Sequence, residues 1–597
     1  MQPALLQHLQ SGLEAHRQGR LAEAEQRYRA VLAHAPETLD AINLLGRLLI
    51  QTGRAPEAAS QLRRALDLAG RQAALWLSYT EALLAAGDFV AAREAAETAR
   101  QITPQEPDAI FLWAEAQRAG GAWSAAAGGY RQVLALRPGH AAAALQLATC
   151  LQALGETAAA ITAAREAVRH APQAPECHNN LGNLLMAAGD LAAALGCFEQ
   201  ALRLRPQYPS AQINMAAALR DSGRLDEALA AAQAAVQTSQ GHADAWQALG
   251  QAHHARADME QALAAYRSGL ERRPEDPELH WNFSLSALAA GDFAAGWPAY
   301  GWRWRKAEPP LPRRHWPWPR WPSGADPAGR RLLLWGEQGL GDRLLFLQYL
   351  PALLARGASV TLETDPRLVP LLRRSFDGLA FAEERPVQDP GQTAAGFDGH
   401  LPLGDLPVDA PPGQAWLRPD QDRAARLRAQ YRGNSTDILT GLSWRSANPA
   451  LGAGKSVRVG DLAPLAQAAG RRFVCLQYDV TETELAELRA LFGDRLVVDP
   501  AIDARNDLDG LAAQIAALDL TVTVSNVTAH LAGAMGLPVW VLAPSGRSLF
   551  YYLMAQGSGT PWYPTMRIFR PAAGKPPAGQ LPLVAAALQR LAKSAPK

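Results

Sequence analysis

Two patterns of apolar and polar positions divide the 597-residue chain. Up to about residue 305, helix-length segments come in pairs and repeat with a constant period. After Arg330, short apolar segments alternate with helix-length segments. We therefore predict an α-helical solenoid followed by an α/β region with parallel strands.

The period of the first part is 34 residues, and two residue types mark it. Glycine occupies the turn position at Gly19, Gly53, Gly87, Gly121, Gly155, Gly189, Gly223 and Gly291, and Ala257 replaces one further glycine. Proline follows at Pro36, Pro104, Pro138, Pro172, Pro206 and Pro274. Because glycine permits a tight turn and proline ends a helix, each unit is predicted to be helix–turn–helix. Leu-Gly pairs such as Leu45-Gly46, Leu181-Gly182 and Leu249-Gly250 predict close approach of the paired helices.

These two registers resemble the tetratricopeptide repeat (TPR) family. The resemblance implies eight full units and an atypical ninth, which together form a TPR superhelix over residues 1–305. Such a solenoid presents a concave groove to its ligand. Self-association through the repeats is a further expectation.

Amide side chains recur nine positions before the turn, at Gln146, Asn180, Asn214 and Asn282, with Ala248 interrupting the series. Each amide can donate and accept hydrogen bonds with a peptide backbone of any sequence. The series resembles the asparagine ladder that holds the acceptor polypeptide in protein O-GlcNAc transferase. We therefore predict acceptor binding by these four residues. Alternatively, they are solvated helix positions that fit the pattern.

The junction over residues 306–329 is rich in proline and tryptophan and is not expected to form a helix. Arginines interleave with its indole rings, which is one feature of nucleic-acid surfaces. The other interpretation is an apolar strap that joins the last repeat to the next domain. We favour the strap because the chain has no other basic tract.

The second part is predicted to contain two α/β halves, residues 330–433 and 434–597. Strands are predicted at 332–335, 358–362, 437–443, 472–477, 520–524 and 538–542. Helices are predicted at 342–356, 366–375, 420–432, 481–492, 507–518 and 528–536. In such folds ligands bind beyond the carboxyl ends of the strands, so the loops there are the candidate site.

The first of these loops is GEQGLGD, residues 336–342. It lacks both the P-loop pattern and a full Gly-x-Gly-x-x-Gly pattern, so neither of those nucleotide sites is predicted. Gly339 and Gly341 would let the backbone approach a ligand closely. Asp342 is the candidate catalytic residue, with Glu337 as the alternative; Asp342 could also be a simple helix cap.

Two later loops are predicted to bind the donor. Free N–H groups at a helix start near Thr528 would suit a phosphate group. Basic and amide side chains after the strand that ends at Ser443 would contact phosphate or sugar. The predicted donor-binding residues, besides the two glycines, are Trp444, Arg445, Ser446, Asn448, Lys455, Gln477, Ser525, Asn526, Thr528, Ala529 and His530.

Composition narrows the class of protein. Lys+Arg 58 against Asp+Glu 57 gives a net charge of +1, which argues against nucleic-acid wrapping. The four cysteines have no metal-ligand spacing, so neither a zinc site nor a disulfide framework is expected. The sequence shows no secretory signal pattern and no apolar run long enough for a membrane span. A cytoplasmic location is therefore expected.

Three motifs resemble the heptosyltransferase-like GT-B fold of glycosyltransferase family 9: GEQGLGD with the following helix, SNVTAHLAGAMGLPVWVL, and TPWYPTMRIFRP. The resemblance covers about residues 325–575. It implies that Asp342 is the general base and that Lys455 contacts phosphate. The family has Asp-Thr where this chain has Ser525-Asn526, which weighs against an ADP-heptose donor.

The layout of repeats followed by this fold resembles bacterial flagellin glycosyltransferases that transfer pseudaminic acid. The resemblance implies an inverting, metal-independent protein O-glycosyltransferase with a nucleotide-sugar donor, possibly CMP-linked, and flagellin as the acceptor. No cofactor or nucleic-acid partner is expected. Two alternatives remain: a heptosyltransferase of lipopolysaccharide assembly, and a non-catalytic TPR scaffold with a decayed transferase domain.

Overall fold

A computed structural model describes residues 3–307, 314, 316–384, 396–448, 452–546 and 551–594. The remainder of the Pro/Trp-rich junction, 308–313 and 315, therefore lies outside the described residues. The chain divides into two compact units, residues 1–214 and 215–597.

Between residues 3 and 305 the chain forms 18 α-helices in nine antiparallel pairs, and a short 3-10 turn follows at Gly301–Arg305. The helices are α1 Pro3–Arg17, α2 Leu21–His34, α3 Leu39–Gln51, α4 Ala55–Leu68, α5 Ala73–Ala86, α6 Phe89–Ile102, α7 Pro107–Ala119, α8 Trp123–Leu136, α9 Ala141–Ala153, α10 Thr157–His170, α11 Pro175–Ala187, α12 Leu191–Leu204, α13 Pro209–Asp221, α14 Leu225–Thr238, α15 Ala243–Ala255, α16 Met259–Arg272, α17 Pro277–Ala290 and α18 Phe293–Tyr300. The predicted helical solenoid is confirmed.

The turn glycines behave as the 34-residue ladder predicts. All eight adopt positive φ, between 75° and 85°, which is favourable only for glycine. Ala257 takes the same left-handed conformation, with φ of 65°. The ladder prolines lie two residues beyond the end of the second helix of each pair, as Pro36 does after α2. The turn is therefore imposed by the repeat even where alanine replaces glycine.

The Leu-Gly pairs also have the predicted role. A Cβ added at Gly46 would lie 2.8 Å from the side chain of Leu62. The corresponding Cβ at Gly250 would lie 2.4 Å from the ring of Tyr266. Both distances are too short for carbon atoms, so these glycines allow a bulky side chain of the second helix to pack on the first.

The second part contains two parallel sheets. The strands in its described residues are β1 Arg331–Trp335, β2 Ser359–Thr364, β3 Ala380–Glu383, β4 Gly399–Pro402, β5 Ile438–Ser443, β6 Arg471–Cys475, β7 Leu496–Val497, β8 Leu520–Val524, β9 Val539–Leu542 and β10 Met566–Phe569. The first sheet has the order β3-β2-β1-β4 and the second the order β10-β9-β8-β5-β6-β7. Every described pairing in both sheets is parallel.

In the described residues, ten α-helices accompany these strands. They are α19 Leu340–Leu347, α20 Leu350–Ala355, α21 Val369–Ser375, α22 Gln421–Arg432, α23 Gly452–Lys455, α24 Ala463–Ala466, α25 Glu482–Phe492, α26 Leu508–Ala516, α27 Val527–Ala534 and α28 Leu581–Ser594. All six predicted strands are confirmed, whereas the short strands β3, β4, β7 and β10 have no counterpart in the sequence prediction. The helix predicted over 342–356 is wrong as one element, because Pro351 cannot donate a backbone hydrogen bond and the helix is interrupted between Leu347 and Leu350.

The last helical pair packs into the same core as the first sheet. Trp297 of α18 lies among the rings of Tyr300, Phe346, Tyr349, Tyr551 and Trp562, at centroid distances of 5.6–6.5 Å. In the described part of the junction, Trp316 is buried against β1 residues, including Trp335. Helices α17 and α18 therefore share a hydrophobic core with the α/β region.

Candidate active-site cleft

A cavity of about 350 Å³ lies at the carboxyl ends of strands from both sheets. The first sheet contributes the loop Gly339–Asp342 after β1 and Arg367 after β2. The second contributes loops after β5, β6 and β8. Of the predicted residues, the cavity brings together Gly339, Gly341, Asp342, Ser446, Asn448, Lys455, Ser525, Asn526 and His530.

Asp342 and Lys455 are the charged pair of this cleft. Burial raises the pKa of Asp342 to about 6, and the nearby positive charge of Lys455 opposes that rise. The side chain of Lys455 is itself buried, which lowers its pKa to about 8 although Asp342 acts in the other direction. At neutral pH the cleft therefore holds a carboxylate of raised basicity and an ammonium group.

His530 lies one turn into α27 and faces the first loop. A Cβ added at Gly341 would approach the imidazole to 2.8 Å, so glycine is required there for the ring to fit. The His530 Nδ1 is 3.0 Å from the Tyr563 hydroxyl. Burial, followed by the charge of Lys455, lowers the pKa of His530 to about 3. The ring is therefore neutral and serves as a hydrogen-bonding group.

Asn526 joins three segments of the second half. Its Nδ2 donates to Ser443 Oγ at 2.8 Å and to the carbonyl oxygen of Arg445 at 3.2 Å. Its Oδ1 accepts hydrogen bonds from the N–H of Thr528 at 3.1 Å and from Thr523 Oγ1 at 3.0 Å. Asn526 therefore caps α27 and holds the loop after β5 at the same time.

The prediction of a free N–H at Thr528 is corrected by this geometry, since that N–H caps the helix through Asn526. Thr528 and Ala529 are fully buried and do not line the cavity. They pack α27 against its surroundings instead. The α27 residues that line the cavity are Val527 and His530, and Ser525 and Asn526 precede them.

Three other predicted donor-binding residues support the cleft without lining it. Gln477 Oε1 accepts hydrogen bonds from Ser443 Oγ and from the backbone N–H groups of Trp444 and Arg445, at 2.9–3.0 Å. The Arg445 guanidinium donates to the carbonyl of Asp479 and to Glu484, and the indole of Trp444 also donates to Glu484. These residues fix the loop after β5 in place.

Glu337 lies outside the cavity lining, in the protein interior. Its Oε1 accepts a hydrogen bond from Arg303 Nη2 at 2.9 Å and from the N–H of Gly404 at 3.0 Å. Burial raises the pKa of Glu337, and the Arg303 charge opposes the rise. Glu337 is therefore a structural ion-pair partner, and Asp342 is the carboxylate among the described residues that line the cavity.

Several cleft residues were missed by the sequence prediction: Arg367, Tyr478, Ala504, Arg505 and Tyr552. Arg367 Nη1 donates to the carbonyl of Arg505 at 2.8 Å and so connects the two halves. Tyr552 contributes a hydroxyl 2.7 Å from Ser525 Oγ. Arg367 and Tyr478 follow strands β2 and β6, which is a usable signal, whereas Arg505 and Tyr552 lie on long loops without a pattern.

The amide series of the repeats is half-buried. Gln146, Asn180 and Asn214 occupy equivalent positions on α9, α11 and α13, and Asn214 Nδ2 donates to Asn179 Oδ1 at 3.0 Å. In the second unit, Asn282 of α17 borders a cavity of about 220 Å³ with Arg220, Gln251, His254 and Tyr266. The four amides thus lie, partly exposed, on the first helix of four of the nine pairs.

Among the described residues, no helix combines the length and apolarity needed to cross a bilayer. The described part of the chain likewise contains no group of three or more His, Cys, Asp or Glu side chains arranged to hold a metal ion.

Comparisons with known proteins identify the repeats. Family models described as tetratricopeptide repeat match residues 15–81, 119–184, 179–243 and 219–290. The chain is 32% identical over 324 residues to Protein FlbA of Caulobacter vibrioides, which covers 50% of this chain and 53% of the relative. The chain thus spans about half the length of the curated relative it matches.

Solved structures with some likeness include the APC/C hetero-tetramer Cut9–Hcn1, with 18% identity, coverage of 45% of this chain and 52% of that chain, and a TM-score of 0.37. The TPR protein YrrB, described as having an unusual peptide-binding site, has 21% identity, coverage of 31% and 96%, and a TM-score of 0.27. The chain accordingly contains tetratricopeptide repeats, followed by a region of parallel sheets, and is similar to Protein FlbA over half its length.

Proposed function

We propose that this protein is a glycosyltransferase that moves a sugar from a nucleotide-activated donor to a Ser or Thr hydroxyl of a protein held by the repeats. The observation that carries the proposal is the position of Asp342. This half-buried carboxylate, whose pKa is raised, borders a cavity at the carboxyl ends of strands from both parallel sheets. Lys455 and the start of α27 line the same cavity. Two parallel sheets that border one cavity are compatible with the GT-B fold that the family resemblance implies.

Asp342 would act as the general base. It would accept the proton of the acceptor hydroxyl while the hydroxyl oxygen forms a bond to the anomeric carbon of the donor. The bond between that carbon and the phosphate oxygen would break in the same step, and its electron pair would leave with the phosphate. A single base and a direct displacement give inversion at the anomeric carbon.

Lys455 would stabilise the charge that develops on the leaving phosphate. A buried ammonium group interacts more strongly with an anion than an exposed one, because little water screens the charge. His530 would add a neutral hydrogen bond at the same place, since its low pKa keeps the ring uncharged. Arg367 and Arg505 also line the cavity, and their guanidinium groups, which pair with Asp365 and Asp479, would offer further N–H groups to an anionic donor.

The repeats would hold the acceptor polypeptide through the amides Gln146, Asn180, Asn214 and Asn282. A half-buried amide retains hydrogen-bonding capacity for a peptide backbone. On the resemblance to flagellin glycosyltransferases, we further propose that flagellin is the acceptor and that the sugar is a nonulosonic acid such as pseudaminic acid. The donor would then be CMP-linked, and the reaction would proceed in the cytoplasm without a metal ion.

A heptosyltransferase role explains the two α/β halves but leaves the repeats without a task. A decayed transferase is disfavoured by Asn526. Asn526 stands where the heptosyltransferase pattern has threonine, and its amide donates two hydrogen bonds, whereas a threonine hydroxyl has one proton to donate. The substitution is therefore part of an ordered network, as expected of a working site.

The experiment is to incubate the purified chain with flagellin and with CMP-, UDP-, GDP- or ADP-linked sugars, with and without a chelator, and to read acceptor mass. Transfer from one donor, undiminished by the chelator and absent in Asp342→Asn, would support the proposal. Thermal stabilisation by one nucleotide without transfer to any protein acceptor would favour a glycan-building enzyme. Lack of any nucleotide-dependent stabilisation would favour a scaffold.

A further inference from the structure

A buried ion network connects the end of the repeats to the loop that carries Asp342. Arg303 belongs to the 3-10 turn that follows α18, and its side chain is only 1% exposed. Nη2 donates to Glu337 Oε1 at 2.9 Å and to Asp405 Oδ1 at 2.8 Å. Nη1 donates to the carbonyl of Tyr300 at 3.2 Å. One guanidinium therefore joins the first-sheet loops after β1 and β4.

A second contact holds the next residue of the same loop. Gln338 Nε2 donates to the hydroxyl of Tyr300 at 2.6 Å. The Tyr300 ring is buried against Trp297 and Phe346, so its hydroxyl has a defined position. Adjacent residues 337 and 338 are thus both held by residues that precede the first sheet in the chain, four or five positions before Asp342.

We propose that Arg303 is a positioning residue, which sets the conformation of the loop Gly336–Asp342 and through it the location of the Asp342 carboxylate in the cleft. The inference deepens the proposed function and rests on it for the rate measurements below. Arg303 has no part in the chemical step.

The packing leaves the loop little freedom to adopt another arrangement. A Cβ added at Gly404 would lie 2.3 Å from Glu337 Oε1 and 2.9 Å from Arg303 Nη2, so the backbone closes directly over the ion pair. Because Glu337 and Asp405 are both buried, loss of the shared guanidinium would leave Glu337 without its charged partner beside Asp405, which would keep only Arg320. The loop after β1 would then move to relieve the repulsion.

Lysine at this position would keep the charge but not the geometry. An ammonium group cannot reproduce the planar fork that serves both carboxylates and the Tyr300 carbonyl. Arg303→Lys is therefore the test variant. Arg320→Lys is the matched control, because Arg320 pairs with the other oxygen of Asp405 and is 42% exposed.

Both variants of the full chain should be compared by hydrogen exchange of the backbone amides at 336–342 and by steady-state transfer kinetics. Arg303→Lys is expected to accelerate exchange in this loop and to lower kcat by about 10- to 100-fold with little change in the KM for donor. Arg320→Lys should leave both close to wild type. The positioning role would be overturned if the two variants had equal effects. It would also be overturned if a folded Arg303→Lys protein kept the exchange rates and the kcat of the wild type.

Tyr300→Phe provides a milder variant if Arg303→Lys does not fold. It removes only the hydroxyl that holds Gln338 and keeps the ring in the aromatic core. Faster exchange at 336–342 with a lower kcat is expected, and unchanged exchange would contradict the inference. If the wild-type chain transfers no sugar, the proposed function fails, and the exchange comparison still decides whether these residues hold the loop.

Discussion

The amide of Asn526 donates a hydrogen bond to the hydroxyl of Ser443 across 2.8 Å. This contact joins the carboxyl ends of β8 and β5, which are neighbours in the second sheet. The Ser443 hydroxyl in turn donates a hydrogen bond to Oε1 of Gln477, a residue that follows β6. Three loops of the cleft are thereby linked through pairs of side chains that lie 34 and 83 residues apart in sequence.

Asn526→Asp tests whether this link holds the donor site. Aspartate remains a good helix cap, so stability should change little. The lost N–H donors leave Ser443 and the Arg445 carbonyl without their partner, and donor affinity is expected to fall by about tenfold or more. Asn526→Ala should lose the cap as well and unfold more readily. Titration calorimetry with the donor nucleotide makes the comparison, and wild-type affinity in Asn526→Asp would exclude this role.

Asp342→Asn should abolish most transfer activity while the protein folds and binds donor. Removal of a general base costs a factor of about 10² to 10⁴ in rate. Because burial raises the pKa of Asp342, the ionised side chain is poorly accommodated, and the neutral amide should not lower stability. Asp509→Asn is the matched control, since Asp509 pairs with Arg374 and does not line the cavity. Turnover near wild type in Asp342→Asn would leave Asp342 as a helix-start residue only.

The rate of sugar transfer should decrease on both sides of neutral pH, which gives the pH profile an acid limb and an alkaline limb. Below a pH of about 6, Asp342 becomes protonated and cannot accept the hydroxyl proton. Above a pH of about 8, Lys455 loses its proton and with it the charge that stabilises the leaving phosphate. A profile of kcat/KM from pH 5 to 9 is the measurement. Lys455→Arg should remove the alkaline limb, because arginine stays charged throughout, and persistence of that limb would reassign it.

Ala257→Gly is expected to stabilise the turn between α15 and α16. Alanine with a φ of 65° is strained relative to glycine, and relief of about 0.5–1 kcal/mol is expected after allowance for the more flexible unfolded chain. Ala264→Gly is the control: it lies exposed in the middle of α16 and should destabilise that helix by about 1 kcal/mol. Native-state hydrogen exchange of the backbone amides in α15 and α16 would measure the stability change in both variants. A loss of protection in Ala257→Gly would refute the expected stabilisation of the turn.

The boundary of a stable fragment that contains both parallel sheets should lie before α17. A fragment of residues 325–597 lacks Trp297, Tyr300 and Arg303, so buried aromatic rings would be exposed and two buried carboxylates would lose their shared partner. A fragment of residues 274–597 retains all three side chains. We expect cooperative thermal unfolding of the longer fragment only. Equal midpoints of thermal unfolding for the two fragments would show that the last helical pair is not needed for the stability of the α/β region.

The helical units and the strands could be predicted from the sequence because they depend on the conformational preferences of residues that are close together in the chain. Glycine and proline spacing sets the helix–turn–helix units, because a turn and a helix end depend on the backbone preferences of a few residues. The predicted bounds of strand β8 match the observed ones for a similar reason, since four of its five residues are β-branched and favour an extended backbone. The same reasoning found loops after β1, β5 and β8, where Asp342, Lys455 and His530 meet at the cleft.

Contacts between residues that are distant in sequence are decided only by the tertiary structure. No spacing indicates that Glu337 faces Arg303, that Arg367 meets Arg505 or that Asn526 supports Ser443. These contacts depend on strand order and on the packing of whole elements, which bring together side chains separated by 34–138 residues. The raised pKa of Asp342 belongs to the same class, because desolvation is a property of the assembled cleft and not of any local segment.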